Sequence, residues 1–132
     1  MLGHDGFGQP GLGDTNARGD AANEMGDLLP AVSLGTGRTA RAIFAGHWNT
    51  CVILDNDQIK RWGYNVGGQL GQGDTNNRGD GAGEMGAALQ AINVGTGRTA
   101  TSSDSATSRA AATPPAKWAT CYSPSTSAPV ER

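Results

Sequence analysis

The sequence predicts an all-β chain: a partial β-propeller of about one complete four-stranded blade plus part of a preceding blade, with a disordered C-terminal tail. Three observations point there. A long segment returns sixty residues further on, short β-branched runs lie between turn-forming residues, and glycine stops abruptly at residue 100. All 21 glycines fall in residues 1–100, roughly three times the ~7% norm.

The repeat is the strongest signal. Gly8-Gln9-Pro10-Gly11-Leu12-Gly13-Asp14-Thr15-Asn16 returns as Gly68-Gln69-Leu70-Gly71-Gln72-Gly73-Asp74-Thr75-Asn76. The match runs without a gap to Ala40 and Ala100, with 22 identities in 33 positions between 8–40 and 68–100. A structural unit is therefore duplicated. The expected organisation is a partial repeat 1–38, a complete unit 39–95, the start of a next unit 96–100, and a tail 101–132.

Taken in order, residues 39–45 form a first strand ended by Gly46. Residues 50–54 and 58–62 form the next two, rich in β-branched and aromatic side chains. They flank Asp55-Asn56-Asp57, a three-residue hairpin loop. Pairing about Asn56 sets Ile53 against Ile59, Val52 against Lys60 and Cys51 against Arg61, and requires positive φ at Asp57. A fourth strand is expected at 91–94, with a counterpart at 31–34. Between third and fourth strands the glycine density demands turns. A helical turn is expected within 83–89 and within 23–29, the latter capped by Asn23.

In the tail, Ser, Ala, Thr and Pro make up 23 of 32 residues. That composition cannot offset ~1–2 kcal/mol per residue of backbone ordering entropy, so disorder is expected. The abrupt change at Ala100 also suits an out-of-frame translation or a mis-assigned exon, and a native low-complexity tail equally well.

Composition excludes several classes. Large aliphatics and Phe number only 19 of 132. Net charge is −2, from ten Lys+Arg and twelve Asp+Glu, so no global basic surface recruits nucleic acid. No apolar run approaches the ~18 residues of a membrane helix, and no signal peptide opens the chain. A cytoplasmic or nuclear location is expected. Two cysteines, Cys51 and Cys121, make neither a disulfide framework nor a zinc site. Cys51 reads as a free, buried core thiol.

The motif Trp62-Gly63-Tyr64-Asn65-Val66-Gly67-Gly68-Gln69-Leu70-Gly71-Gln72-Gly73 resembles the signature of the repeat family named after the regulator of chromosome condensation. The resemblance covers about residues 5–100 and implies repeats of a seven-bladed propeller. The founding member is a guanine-nucleotide exchange factor for a small GTPase; other members are scaffolds, inhibitors or receptors. Here Asn49 stands where the family's usual histidine falls, Arg61 where a subgroup has cysteine, and Pro10 where Leu70 stands in the second copy.

Other strings read as parts of the repeat. Gly6-Phe7-Gly8-Gln9-Pro10-Gly11 matches a dinucleotide fingerprint without the flanking strand and helix. Arg18-Gly19-Asp20 and Arg78-Gly79-Asp80 spell an adhesion tripeptide, but their recurrence follows from the duplication. Asp74, Asn76, Asp80 and Glu84 approach calcium-loop spacing, with Arg78 at a ligand position. They read as a solvated polar loop. His4 and His47 lack a matched nucleophile or metal partner. Trp62 reads as a core anchor; Met25 and Met85 pack loops. No catalytic, cofactor or metal residues are assigned.

What remains is a non-enzymatic protein-interaction module, a fragment of a larger propeller. Its long loops would carry recognition through Asp14, Arg18, Asp20 and Glu24, and through Asp74, Arg78, Asp80 and Glu84. The resemblance offers an exchange factor acting on a small GTPase as the alternative. A truncated gene product with no independent function is the third reading. Exposed sheet edges predict self-association of the isolated chain, since repeats generally need ~3 units to bury a continuous core.

Overall fold

The computed structural model describes residues 3–96. The expected tail 101–132 and the residues of the next unit after Thr96 lie outside them.

Three strands, β1 (Ala40–Ala45), β2 (Asn49–Leu54) and β3 (Ile59–Gly63), form one antiparallel sheet in sequence order. The β2–β3 register places Ile53 opposite Ile59, Val52 opposite Lys60 and Cys51 opposite Arg61, as the pairing about Asn56 requires. Asp57 closes the hairpin at φ 64°, donating its N–H to the Leu54 carbonyl at 3.1 Å. Left-handed backbone at this loop position suits Asp better than most residues. A register shift between Ala40 and Ala42 bulges β1, and the Arg41 side chain there pairs with Asp57.

Neighbouring β2 residues serve opposite faces of the sheet. Cys51 and Ile53 join Ile59, flanked by Ala42, Phe44, Ile92 and Val94. Val52 and Leu54 join Trp62 and Leu89, flanked by Val32, Leu34 and Met85. With both faces covered, β2 reads as an unbroken apolar run instead of an alternating one. Each large aliphatic buried here contributes roughly 1.5–3 kcal/mol. The cover comes from irregular segments on either side of the sheet, so sheet and loops depend on one another.

The expected fourth strand at 91–94 does not form. Ile92 donates one backbone hydrogen bond to Ile59 at 2.8 Å, and Asn93 then accepts from the Gly95 N–H at 2.9 Å. That local side-chain bond competes with a ladder. The counterpart 31–34 is also irregular. Its Ser33 carbonyl accepts from Gly86 N–H at 2.9 Å, and its Leu34 carbonyl from Lys60 Nζ at 3.0 Å. Backbone groups spent this way cannot pair with a neighbouring strand, and among the described residues the sheet has three strands instead of four.

The helical-turn expectation is met in the first copy alone, and there without the expected cap. The first copy has a single 3-10 turn at Gly26–Leu28, preceded by Met25 with no side-chain cap. Asn23 is left-handed, φ 66°, and a cap residue needs extended backbone. The equivalent stretch of the second copy forms turns only. Met25, expected to pack a loop, is 47% exposed, whereas Met85 packs against the cluster of Val52, Leu54, Trp62 and Leu89. Cys51 is buried but disulfide-bonded, which corrects its reading as a free thiol; Cys121 lies outside the described residues. No helix among the described residues is long and apolar enough to cross a membrane.

Candidate interaction surfaces

The charged loop residues singled out by sequence turn out to brace the loops that carry them. Arg18 pairs with Asp14 at 2.7 Å, and Arg78 with Asp74 at 2.6 Å. Each aspartate also accepts from the amide two residues on, Asn16 or Asn76, at 2.9 Å. These amides, aided by the arginines, hold both carboxyls below the usual range. The Glu24 carboxylate accepts the amides of Gly19, Asp20 and Ala21, and that of Ala21 does most to lower its pKa. Glu84 accepts from Gly79 and Gly81 at 2.9 and 3.0 Å. Six of the eight candidate residues therefore have their charged groups engaged within their own loop. Asp20 is exposed and Asp80 half-buried.

A backbone bridge closes each loop at the same sixty-residue offset, Gly3 with Arg18 and Gly63 with Arg78. Inside the second loop, Asn65 is fully buried. Its amide nitrogen donates to the Asp74 carbonyl at 3.0 Å and the Asn76 carbonyl at 2.8 Å. Its oxygen accepts from Leu70 N–H at 2.8 Å. In the first loop this position is Asp5, 1% exposed, and the Leu70 position is Pro10. A carboxylate cannot donate, and proline has no N–H to offer. Both Asp5 oxygens are consequently buried without a hydrogen-bond partner among the described residues. Burial, followed by the charge of Asp14, raises its pKa and outweighs the nearby amides of Gly8 and Gln9, which fall short of hydrogen-bond geometry.

The two copies meet over the sheet. The Gln9 carbonyl accepts from Trp62 Nε1 at 2.9 Å and from Thr50 Oγ1 at 2.8 Å. Gly13 N–H donates to the Gly79 carbonyl at 3.1 Å. Gly8 lies so close that a Cβ there would fall 2.3 Å from the Asp80 nitrogen, which is why glycine is required. Lys60 crosses the seam, donating to the carbonyls of Leu34 and Gly86, and burial lowers its pKa. Beside the seam lies an open groove of about 430 Å³, lined by Gly11, Leu12, Pro30, Ala31, Ala82 and Met85 among others.

A second surface was not anticipated from sequence. Trp48, in the β1–β2 turn, meets Phe7 edge-on at 5.4 Å, His47 at 4.9 Å and His4 at 6.5 Å. Phe7 in turn meets Tyr64 at 4.7 Å. These rings come from three separate segments, and Trp48 stays 40% exposed. Trp48 lies where the apolar pattern of the strands is interrupted by Gly46 and His47, so only its residue type marked it.

Among the described residues no cluster of three His, Cys, Asp or Glu side chains is placed to hold a metal ion. No family model, curated protein or solved structure matches this chain.

Proposed function

We propose that this chain is a non-enzymatic protein-interaction module of the propeller-repeat type, part of a larger ring, and that it engages its partner through the aromatic rim around Trp48. The observation that carries this reading is the cluster of His4, Phe7, His47, Trp48 and Tyr64 on a braced scaffold, with His4, His47 and Trp48 exposed and Phe7 and Tyr64 half-buried. Aromatic side chains bring large contact area at low entropic cost and dominate binding hot spots. Loops fixed on a rigid sheet are where recognition concentrates. The charged loops, having used their carboxylates internally, serve as supports; Asp20 and Asp80 are their remaining contact candidates.

Selection from a random displayed-peptide library tests this. Ligands recovered on the wild-type chain should lose about 2 kcal/mol, roughly thirtyfold in Kd, against Trp48→Ala. Asp27→Asn, at an exposed residue of the 26–28 turn, should leave their affinity unchanged. Selected ligands indifferent to Trp48→Ala would remove the aromatic rim from the account.

A further inference from the structure

Inside the chain, one edge of the first loop (residues 8–13) is seated against one edge of the second (79–82). The contact is backbone on backbone. Gly13 donates to the Gly79 carbonyl, a Cβ on Gly8 would meet Asp80 nitrogen at 2.3 Å, and a Cβ on Gly79 would meet the Gly8 carbonyl at 2.8 Å. Such contacts depend on glycine and on loop shape more than on side-chain identity.

The duplication supplies both halves of this contact a second time. Residues 68–73 reproduce the 8–13 edge, with glycine kept at 68, 71 and 73; residues 19–22 reproduce the 79–82 edge. Backbone angles agree closely: φ is 76° at Gly8 and 74° at Gly68, 81° at Gly13 and 85° at Gly73, and 91° at Gly19 and 89° at Gly79. Yet among the described residues these second halves stand open. Gly8 and Gly11 are buried while Gly68 is half-buried and Gly71 exposed; Gly79 is buried while Gly19 is exposed. A Cβ on Gly68 or Gly73 would meet nothing within 4 Å.

We propose that the open edge 68–73 of one chain docks on the open edge 19–22 of a second copy, repeating between molecules the contact already made within one. The two edges differ, so the interface is heterologous: each chain keeps one free end of each kind, and assembly proceeds head to tail into a ring or an open filament. The inference stands apart from the aromatic rim, which belongs to neither edge.

Sedimentation of the full chain across a wide concentration range tests it. The wild type should grow past dimer as concentration rises. Gly68→Asn blocks the head: asparagine tolerates left-handed backbone, finds open space in the free chain, and would collide in the docked one as a Cβ on Gly8 would. Ala22→Arg blocks the tail at an exposed alanine. Each variant alone should be monomeric, while an equimolar mixture should form dimers and stop there, having one intact head and one intact tail between two chains. Trp48→Ala and Ile43→Lys, the latter on the edge strand β1, should assemble as the wild type does. Near-ultraviolet circular dichroism reports folding, and Gly73→Asn replaces Gly68→Asn if the latter loses the native signal. A wild type that stays monomeric, its edge covered by its own residues, would overturn the proposal. So would assembly of either blocked variant alone, a monomeric mixture of folded variants, or loss of assembly in Trp48→Ala or Ile43→Lys.

Discussion

The first and second loop copies are built alike yet live differently. Both close with the same glycine–arginine bridge, both pair arginine with aspartate four residues earlier, and both collect amides on a glutamate. They part at two buried positions. The second loop holds Asn65 and Leu70, whose hydrogen bonds satisfy one another and the loop carbonyls. The first holds Asp5 and Pro10, which supply neither donor. Loop shape is therefore set by the shared charged and glycine positions. The first loop compensates for its unsatisfied centre with outside support, from Trp62, Thr50 and the second loop.

The largest effect should follow from removing that support. Trp62→Ala deletes a buried ring together with its bond to the Gln9 carbonyl, and should cost about 3–5 kcal/mol in denaturant unfolding. The loss should be accompanied by release of the first loop, with His4, Phe7 and Trp48 losing their mutual contacts.

Exchanging the two centres comes next. Asn65→Asp should destabilise the chain by roughly 1–3 kcal/mol, because the Asp74 and Asn76 carbonyls lose their donor and a carboxylate takes its fully buried place. Asp5→Asn should act in the opposite direction, restoring the amide that the second loop uses. The pair also has a pH signature. The Asp5 pKa is raised above its ordinary carboxyl value, so the stability tied to its protonated form is present in acid and is lost as pH rises through the folded-state pKa. Asp14 and Asp74 are lowered and act in the opposite sense, losing their contribution as pH falls. The wild-type stability curve minus the Asp5→Asn curve should therefore decline with rising pH above the ordinary aspartate pKa and then level off. A flat difference would show that Asp5 ionises without penalty.

The smallest effect tests what the copies share. Arg18→Gln and Arg78→Gln each remove one half-exposed ion pair, so both should destabilise slightly, by similar amounts, and fade with added salt. A large cost at one site alone would break the equivalence of the copies.

Much of this was legible in the chain. The duplication, the hairpin register and left-handed Asp57 follow from local spacing and turn chemistry, which act over a few residues. The missed fourth strand had the right β-branched residues at 91–94, but its backbone groups went to partners fixed by tertiary packing. The engagement of Asp14, Glu24 and their twins was misread for a related reason: charge in a glycine-rich loop looks solvated until the amides it collects are placed. Nothing in the spacing of His4, Phe7, Trp48 and Tyr64 announces that they meet, because three segments must fold before their rings come together.

The first loop is held by the rest of the molecule, whereas the second loop's matching edge is open among the described residues. Amide hydrogen exchange at Gly13 and Gly73 tests it most directly, in the Ala22→Arg background so that chain ends cannot pair. These glycines are equivalent by sequence and backbone, but Gly13 donates to Gly79 across the seam. Gly13 should exchange slowly, alongside the amide of Ile53 in β2, and become fast in Trp62→Ala, while Gly73 exchanges fast throughout. Equal, fast exchange at both glycines in the parent chain would contradict the account.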